Sequence, residues 1–370
     1  MKWDLLYITF IDMNEPVVSG SGKRPKQMLE AFHEMGLKIK LLDGWNNQYG
    51  VRYRNVKNII KWLKTNTPSI CYVEPPSGPF FCPLDLKLLK ILYKREVPIG
   101  LFYRDCYWMF PETVNWSNNF INNLKKRIIR FMQKRDLKVF QKTCKCLFYP
   151  SASMAEIVGA DVKWRALPPG CAKRKIDSFF DADCYRISNN RQLTYFYVGA
   201  SSKRYGTELL LNSFREINKK DICAKLIFVC PKDQWETFVG KDKYKKEKWL
   251  EIYHISDDAE LEILYKKSDI CIIPILKNVY NDFAVPIKLY EYLSYVKPIL
   301  TTNCEETRKF VQGNQIGWVV EDNAEALSRK ILELNNSRQE ILAVKKNCLK
   351  ISQDNLWLKR AYTVIESLSR

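Results

Sequence analysis

Short apolar runs and longer amphipathic segments alternate along the whole of the 370-residue chain. Apolar runs bounded by polar residues predict strands that are buried on both faces, and apolar positions at helical spacing predict helices. The predicted strands are 5–10, 37–42, 70–73, 99–103 and 146–149 in the first half, and 193–198, 224–229, 250–254, 270–275, 298–301 and 317–320 in the second. The predicted helices are 25–35, 84–93, 120–142, 207–217, 259–267 and 285–294, with a closing helix at the end of the chain. Because strands and helices alternate in two separate series, we expect an α/β fold with two doubly wound parallel sheets.

A proline-rich connection, Leu167-Pro168-Pro169-Gly170, interrupts this alternation. Such a sequence breaks both helices and strands, so it predicts a domain boundary. We therefore expect an N-terminal domain over 1–170 and a C-terminal domain over 171–354. We also expect the closing segment, 355–370, to form a helix that packs back on the N-terminal domain.

The composition supports two folded domains and reveals an uneven charge. Apolar residues make up 46% and aromatic residues 13% of the chain, which is enough for two packed cores. The net charge is +19, and residues 1–170 carry 27 Lys and Arg against 14 Asp and Glu. The N-terminal half should therefore attract anions such as phosphate groups or acidic lipids. Because no recognition helix or RNA-binding aromatic motif accompanies the charge, we do not expect a nucleic-acid binder.

The cysteines and the opening residues indicate the compartment. The 12 cysteines are scattered, mostly inside apolar runs, and the closest pair, Cys144 and Cys146, lacks the spacing of zinc ligands. We therefore expect buried free thiols in a reducing cytosol. The opening residues, 1–10, are typical of a buried strand rather than a signal peptide, and no apolar run approaches the length of a membrane span. These patterns predict a cytoplasmic protein.

A small-residue segment, Ser19-Gly20-Ser21-Gly22-Lys23, separates the first predicted strand from its helix. It departs from the Walker A motif at Val17 and Arg24, and Pro25 excludes the pattern G-x-G-x-x-G. A ligand could approach the backbone closely here, because small residues leave room and helix amides attract anions. A tight turn without a ligand is equally compatible with the sequence.

Arg104 and Asp105 stand at the end of a predicted strand, and Asp105 is a candidate proton acceptor of the N-terminal half. Ligands of α/β folds bind at the carboxyl ends of strands, where Asp105 could accept a proton from an attacking hydroxyl. An internal ion pair between the two residues is the alternative. The chain has 2 histidines, and the one in this half, His33, falls on the first helix. A carboxylate is therefore the expected base, with Glu74 or Asp12 as substitutes for Asp105.

Two segments of the second half suit a phosphorylated ligand. The turn 199–206 follows a strand and contains Lys203 and Arg204, a pair of cations that suits a diphosphate. On a later helix, Lys288 and Glu291 are three residues apart and share one face near the N-terminus. There Lys288 and the helix dipole could hold phosphate, while Glu291 accepts hydrogen bonds from a sugar. A solvated basic loop and a surface Lys–Glu pair are the alternatives.

Two further patterns favour structural roles. Asp181-Ala182-Asp183 is similar to a D-x-D metal motif, but it lies in a polar linker and not at a strand end, so we do not expect a metal site. On the helix 120–142, we expect an apolar stripe to face the core. The segment 115–145 nevertheless holds nine Lys and Arg against one acid, which leaves a peripheral contact with an anionic membrane through 120–145 open. The stripe consists of Ile121, Leu124, Ile128, Phe131 and Val139.

The block Pro286-Ile287-Lys288-Leu289-Tyr290-Glu291-Tyr292-Leu293, followed by Lys297-Pro298-Ile299-Leu300, resembles glycosyltransferases of the GT-B fold. The chain is similar in particular to family 4 and to bacterial capsule and exopolysaccharide glycosyltransferases, and 103–105, 150–151, 167–170 and 197–199 agree in order. The resemblance implies two Rossmann-like domains that face a central cleft. It implies donor binding through Gly199, Ser202, Lys203, Arg204, His254, Ile255, Pro286, Ile287, Lys288 and Glu291, and acceptor binding through Gly20, Ser21, Gly22, Glu74, Arg104 and Tyr107.

The same resemblance implies separate roles for these donor residues. Glu291 would bind the donor ribose, and Lys288 with the turn of Lys203 and Arg204 would bind the pyrophosphate. His254 and Ile255 would lie near the base. One position departs from the family 4 pattern, because the glutamate usual eight residues before the ribose-binding one is here Phe283. The chain also resembles the inverting glucuronosyltransferase of xanthan assembly, in which a strand-end Asp of the N-terminal domain is the base, and this likeness assigns that role to Asp105.

These likenesses predict a metal-independent, inverting glycosyltransferase that has no cofactor and uses a UDP- or GDP-type sugar as co-substrate. The expected acceptor is a saccharide or a polyprenyl-linked saccharide in the synthesis of a bacterial surface polysaccharide. The expected location is the cytoplasm or the cytoplasmic face of the plasma membrane. The alternatives are a retaining transferase of the family 4 type and a non-catalytic relative that binds sugar nucleotides or glycans.

Overall fold

A computed structural model describes residues 3–15, 20–110, 120–159, 161–174 and 191–369 of the chain. Over these ranges the chain forms twelve β-strands and fourteen α-helices. They belong to two compact units, each built on one parallel sheet. The N-terminal unit is Met1–Pro169 together with Trp357–Arg370, and the C-terminal unit is Gly170–Leu356.

The elements of the N-terminal unit alternate in the order of the chain. Its strands are β1 (Trp3–Thr9), β2 (Ile39–Leu42), β3 (Pro68–Glu74), β4 (Ile99–Phe102), β5 (Cys146–Tyr149) and β6 (Trp164–Ala166). Its helices are α1 (Gly20–Glu34), α2 (Tyr49–Trp62), α3 (Pro83–Lys94), α4 (Phe120–Thr143), α5 (Ala152–Val158) and, at the end of the chain, α14 (Trp357–Ser369).

The C-terminal unit has the same alternation. Its strands are β7 (Leu193–Val198), β8 (Ala224–Val229), β9 (Leu250–Tyr253), β10 (Ile270–Ile273), β11 (Ile299–Thr302) and β12 (Gly317–Val320). Its helices are α6 (Thr207–Ile217), α7 (Lys232–Thr237), α8 (Asp258–Lys267), α9 (Val279–Phe283), α10 (Ile287–Ser294), α11 (Glu305–Gly313), α12 (Ala324–Asn335) and α13 (Arg338–Asp354).

The sheet of the N-terminal unit has the strand order β2-β1-β3-β4-β5-β6, and every neighbouring pair is parallel. The chain therefore adds β2 on one side of β1 and then crosses to β3 on the other side. The central strands are buried along their length, as strands covered by helices on both faces must be. The last helix, α14, packs against α1, β3 and β4, so the end of the chain completes the N-terminal unit.

The sheet of the C-terminal unit has the order β12-β11-β10-β7-β8-β9, again with all pairs parallel. This is the order of a Rossmann-type sheet, in which the direction of strand addition reverses between β7 and β10. Two apolar clusters cover the two faces of the sheet, one packed by α8, α10 and α13 and the other by α6 and α12. The predicted pair of parallel, doubly wound sheets is confirmed.

The helix α1 begins earlier than predicted. The sequence predicts a turn at Ser19-Gly20-Ser21-Gly22 and a helix over 25–35, whereas the helix runs from Gly20 to Glu34 and includes Pro25. The turn prediction is therefore wrong. The first residues of a helix need no intrahelical acceptor for their amides, so small residues can occupy them with little loss. The Pro25 carbonyl accepts a hydrogen bond from the Tyr7 hydroxyl at 2.8 Å, which ties this part of the helix to β1.

The long helix α4 exposes most of its apolar stripe. Ile121, Leu124, Ile128 and Phe131 are 62%, 46%, 51% and 70% exposed, so the expectation that the stripe faces the core is wrong for these residues. The physical reason is length, because 24 helical residues span about 36 Å whereas the strand that follows has four residues. The second half of α4 contains the buried residues Leu137 and Phe140.

The thiols and the hydropathy of the helices complete the description. Among the described cysteines every thiol is unpaired, and all but Cys223 are buried. Within the described ranges, no helix is both long enough and apolar enough to cross a bilayer.

Candidate functional site

In the C-terminal unit, the direction of strand addition reverses between the neighbouring strands β7 and β10. In doubly wound sheets, ligands bind outside the carboxyl ends of the strands at such a reversal. The loop that leaves β7 begins with Gly199, and the second residue of α10 is Lys288. We call this place the β7–β10 crevice.

The amine of Lys288 lies directly against the backbone of Gly199. A Cβ atom built on Gly199 would lie 1.8 Å from the Lys288 Nζ atom. Gly199 also has a φ of +151°, which residues with side chains rarely adopt. The amine donates to the Tyr197 hydroxyl at 3.4 Å and lies 4.6 Å from the centroid of that ring. Glycine at position 199 therefore allows a cation to rest on the strand-end backbone.

The charge of this amine depends on its surroundings. Burial lowers the pKa of Lys288 to about 8, and the nearby carboxylate of Glu291 opposes this shift. At neutral pH the amine is thus mostly charged, and it is poorly solvated. Glu291 is partly buried on the same helix, and burial followed by its charge raises the pKa of the Tyr265 hydroxyl well above the ordinary value. A poorly solvated cation beside an acid suits a phosphate group joined to a hydroxyl-bearing ring.

The loop after β7 exposes two further cations. Lys203 and Arg204 occupy a 3₁₀ turn that follows Ser202, and both side chains are exposed. The Arg204 guanidinium lies 4.9 Å from the ring centroid of Tyr280 on α9. The turn therefore offers a second source of positive charge in the loop that starts at Gly199.

The other expected donor contacts lie at neighbouring ends of strands and helices. His254 directly follows β9, and its Nδ1 lies 2.8 Å from the carbonyl oxygen of Cys230. A carbonyl only accepts, so Nδ1 carries the proton and Nε2 can accept a hydrogen bond when the ring is neutral. Ile255 is partly buried against the core, Pro286 precedes α10, and Ile287 is the first residue of that helix. The structure thus places the expected donor residues in the loops that leave β7 and β9 and at the start of α10.

In the N-terminal unit, Glu74 at the end of β3 lies inside a buried ion network. Its Oε1 accepts from Arg24 Nε at 2.9 Å and from the Tyr72 hydroxyl at 2.7 Å. Arg104 forms an ion pair with Glu74, with its Nη2 atom 3.6 Å from Oε2. The Arg24 guanidinium also lies 3.4 Å from the ring centroid of Phe102. Glu74 is 1% exposed and joins α1, β3 and β4 from within the unit.

Asp105 lies in the loop after β4, beside a small cavity. Its Oδ1 accepts from the backbone N–H of Tyr107 at 3.1 Å, and Tyr107 begins a 3₁₀ turn. The cavity measures about 20 Å³, which is room for about one water molecule. Among its lining residues are Arg104, Asp105 and Asp136 and the loop 75–80. Three of the expected N-terminal residues, Arg104, Asp105 and Tyr107, therefore lie together in the loop after β4.

The remaining expected N-terminal residues lie after β1. Gly20, Ser21 and Gly22 form the first turn of α1, and the same helix carries Arg24, the partner of Glu74. Asp12, named as a substitute base, lies in a turn where its Oδ1 accepts from the backbone N–H of Asn14 at 2.9 Å. The segment with Asp181 and Asp183 lies outside the described residues. Over the described ranges, no group of three or more His, Cys, Asp or Glu side chains is placed to hold a metal.

A second buried ion pair fixes the strand ends of the N-terminal unit, and sequence reasoning missed it. Arg52 on α2 is 0% exposed, and its Nη2 donates to Asp85 Oδ1 at 2.7 Å. Its Nη1 donates to the carbonyl oxygens of Thr9 at 2.7 Å and of Asp43 at 3.2 Å. These carbonyls belong to the ends of β1 and β2, so one guanidinium holds two neighbouring loops. The signal that could have revealed it is a charged residue at helical spacing from the apolar Val56 and Ile59.

Phe283 lies where the common retaining pattern has a carboxylate. It ends the short helix α9 and is 3% exposed. Its ring packs edge-on against Tyr280, with centroids 4.9 Å apart. The side chain at this position is therefore part of the apolar packing.

Comparisons with known proteins agree with this architecture. The family described as glycosyl transferases group 1 matches residues 186–350. No curated protein matches the sequence. Among solved structures, sucrose-phosphate synthase from Thermosynechococcus elongatus is similar with a TM-score of 0.69, 12% identity and 98% of each chain covered.

Two further solved structures have the same fold. WaaG, a glycosyltransferase involved in lipopolysaccharide biosynthesis, is similar with a TM-score of 0.66 and 13% identity, over 98% of this chain and 99% of that one. The Anabaena protein HepE in complex with UDP is similar with a TM-score of 0.64 and 10% identity, over 99% of each chain. At such identities the likeness establishes the fold. Residues 186–350 match the glycosyl transferases group 1 family, and the described chain has the GT-B fold, with two units that are each built on a parallel sheet.

Proposed function

We propose that the protein is a glycosyltransferase that takes a sugar from a nucleotide-sugar donor. The C-terminal unit holds the donor, and the N-terminal unit holds the acceptor, which is a saccharide or a lipid-linked saccharide. The observation that carries this proposal is the Lys288 amine on the Gly199 backbone, with Lys203 and Arg204 in the same loop. Fixed cations at the carboxyl edge of a Rossmann-type sheet suit a diphosphate. Glu291, on the same helix as Lys288, accepts hydrogen bonds from the ribose hydroxyls in this account.

The proposed reaction is a single displacement with inversion. The acceptor hydroxyl oxygen attacks the anomeric carbon, the bond from that carbon to the diphosphate oxygen breaks, and the electron pair leaves with the nucleoside diphosphate. The acceptor proton passes to the Asp105 carboxylate. The cations of the β7–β10 crevice and the N-terminus of α10 stabilise the charge on the leaving diphosphate. The buried Phe283, at the position of the usual glutamate, supports inversion over the retaining alternative.

The same cations support a metal-independent reaction without a cofactor. Lys288 is held against Gly199 and the other two cations occupy one turn, so positive charge is already in place for the diphosphate. Full activity in excess EDTA is the expected outcome. A loss of activity that Mg²⁺ or Mn²⁺ restores would contradict this part of the proposal.

We further propose that α4 contacts an anionic membrane, which suits a lipid-linked acceptor and a cytoplasmic enzyme of surface polysaccharide synthesis such as capsule or exopolysaccharide. Four large apolar side chains of its first half are 46% to 70% exposed. Four cations lie among them, at Lys125, Lys126, Arg127 and Arg130. Apolar side chains beside cations are the chemistry that binds a helix into the interface of an acidic bilayer.

The proposed activity is tested with a panel of UDP- and GDP-sugars, which covers the two nucleotide types expected from the sequence. Thermal shift first identifies a donor that stabilises the protein, and mass spectrometry then follows transfer to saccharide and polyprenyl-linked acceptors. Release of the nucleoside diphosphate together with a glycosylated product is the expected result. NMR of the new linkage then reports inversion or retention. A donor that binds without hydrolysis or transfer to any acceptor would favour the non-catalytic alternative.

A further inference from the structure

The strands β7 and β10 separate before they reach the edge of the sheet. Their register consists of two pairs, Ile270↔Tyr195 and Cys271↔Phe196. On its other side, β7 stays paired with β8 over six residues, up to Val198↔Val229. The sheet is therefore split on one side of β7 only, and this is the side on which the β7–β10 crevice lies.

The hydroxyl of Tyr292 lies between the separated strands. It accepts from the backbone N–H of Val198 at 3.3 Å and donates to the carbonyl oxygen of Ile272 at 3.3 Å. If the ladder continued, the next parallel pair would close with a direct bond from Val198 N–H to the Ile272 carbonyl. The hydroxyl thus replaces one ladder hydrogen bond by a two-step bridge. The Val198 N–H and the Ile272 carbonyl both keep a hydrogen-bond partner, so the separation of the strands leaves neither group unsatisfied.

The ring of Tyr292 is fixed in the core of the unit. The residue is 0% exposed, and its ring packs edge-on against Phe196 and Tyr265, with centroids 6.3 Å and 6.0 Å apart. Burial raises the pKa of its hydroxyl well above the ordinary value, so the hydroxyl keeps the proton that it donates. A side chain held in this way sets the spacing of the two strands rigidly.

The helix that supplies this hydroxyl also supplies the cation of the crevice. Lys288 precedes Tyr292 by one helical turn on α10, so the two side chains extend from the same face. The Lys288 amine reaches Gly199, which directly follows Val198, the residue that Tyr292 holds. The position of the amine and the position of the strand end are therefore set by one helix.

We infer that Tyr292 is a positioning residue for the donor. Its hydroxyl holds the ends of β7 and β10 apart, so that the Gly199 backbone and the Lys288 amine can face the diphosphate of a nucleoside diphosphate. This inference rests on the proposed function, because it assigns a role within the proposed donor site.

The substitution Tyr292→Phe tests the inference, since it keeps the buried ring and removes only the bridging hydroxyl. The matched control is Tyr195→Phe, because Tyr195 is also 0% exposed and its hydroxyl donates to the Ile331 carbonyl at 3.5 Å, on a different face of the same sheet. Without the hydroxyl, Val198 and Ile272 can bond directly and narrow the crevice. We expect the Kd of UDP or GDP, whichever the wild type binds, to rise about tenfold for Tyr292→Phe and to stay within twofold for the control.

Two further readouts separate positioning from a general loss of stability. The donor KM should rise for Tyr292→Phe, while the acceptor KM and the kcat at saturating donor stay within twofold of the wild type. If the hydroxyl acts through Lys288, Tyr292→Phe should change the Kd less than threefold in a Lys288→Ala background. An equal Kd for wild type and Tyr292→Phe, an equal rise in the control, or additive effects in the double variant would each overturn the inference. A wild type that binds no nucleoside diphosphate would overturn the proposed function and this inference together.

Discussion

The two units place their positive charge differently at the carboxyl edges of their sheets. In the C-terminal unit, Lys203 and Arg204 are exposed in the loop after β7, and the Lys288 amine lies against the backbone of Gly199. In the N-terminal unit, Arg24 and Arg52 are 4% and 0% exposed, and each is bound to a carboxylate. In the proposed function the cations of the C-terminal unit bind a ligand, whereas the arginines of the N-terminal unit hold its own loops.

This difference indicates that the cations of the two units have different roles. A cation that binds diphosphate has to remain available at the surface of a crevice, and a cation that fixes loops has to be buried with its hydrogen bonds satisfied. The Arg52 guanidinium holds carbonyls at the ends of β1 and β2, and Arg24 bonds both Glu74 and the Leu167 carbonyl. With these groups engaged, Asp105 is the carboxylate of the N-terminal edge to which the proposed function assigns the role of base.

The largest expected effect concerns this acid. Asp105→Asn keeps the shape of the side chain and its acceptor oxygen but removes the basicity, so the rate of transfer should fall about 10²–10⁴-fold. The Kd of the donor should stay within twofold, since the proposed donor site is built by the C-terminal unit. Single-turnover kinetics and calorimetry measure the two quantities separately.

Asp12→Asn is the control for Asp105→Asn, because Asp12 also follows a strand and its carboxylate also accepts a backbone N–H. Its transfer rate should remain close to that of the wild type. If Asp105→Asn turns over normally, the base lies elsewhere, and a loss of rate in the control variant would identify Asp12. A product with retained configuration would contradict the single displacement even if Asp105 were essential.

The next prediction contrasts a buried cation with a presented one. Arg52→Met leaves Asp85 as a buried carboxylate without its partner, so the free energy of unfolding should fall by about 3–5 kcal/mol. Lys288→Met removes a cation whose charged form is already disfavoured by burial. The free energy of unfolding of this variant should therefore differ from that of the wild type by less than about 1 kcal/mol. Chemical denaturation measures both, and equal losses would show that the two cations do not differ in role.

The proposed membrane contact predicts a smaller effect. Neutralising Lys125, Lys126, Arg127 and Arg130 to Gln should weaken binding to phosphatidylserine vesicles by about 10²–10³-fold at low salt, because each cation near such a surface contributes roughly 1 kcal/mol. Vesicle co-sedimentation at several salt concentrations measures this.

A matched variant separates local binding from overall charge. Lys219, Lys220, Lys266 and Lys267 are four exposed lysines of the C-terminal unit. Neutralising these four changes the net charge equally and should leave vesicle binding within about twofold. Equal loss in both variants would mean that the vesicles respond to net charge, and no loss in either would make the exposed half of α4 a surface for something other than an acidic bilayer.

The smallest predicted effect is a pH dependence of nucleotide binding. The free Lys288 amine has a pKa of about 8, so it is charged at pH 7 and mostly neutral at pH 9. Affinity for the diphosphate should therefore fall as the pH rises through 8, by at most about tenfold between pH 7 and pH 9. Lys288→Arg keeps its charge over this range, so its affinity should stay flat. A wild-type affinity that is flat as well would indicate that the amine does not contact the diphosphate.

The sequence predicts the sheets better than it predicts the helices that shape the site. The strands β5, β7, β8 and β12 have the predicted bounds, because a short, mainly apolar run between polar residues is the sequence pattern of a strand. The helix α2 is not predicted, and its buried face explains why. That face consists of Arg52, Val56 and Ile59, so a charge stands where the helical pattern requires an apolar residue.

The candidate site likewise contains some features that the sequence predicts and others that it does not. The block from Pro286 to Leu293 and the cations after β7 can be read from local sequence, because a strand end, a turn and a helix start are local features. The bridge from Tyr292 to Val198 and Ile272 cannot, since it depends on the spacing of two strands far apart in the chain. The exposure of Phe131 was predicted wrongly for a related reason, because a periodic stripe shows which residues share a face but not whether anything covers it.

Calorimetry of nucleotide binding tests the central claim, the donor site of the C-terminal unit, most directly. UDP and GDP are titrated into the wild type, Lys288→Ala, Glu291→Ala and, as the control, Lys267→Ala, which removes an exposed lysine at the end of α8. The account predicts that one nucleotide binds the wild type and the control equally, and that Lys288→Ala and Glu291→Ala each bind it about tenfold to a hundredfold more weakly. Unchanged affinity in both variants would contradict the account, because the nucleotide would then bind away from α10.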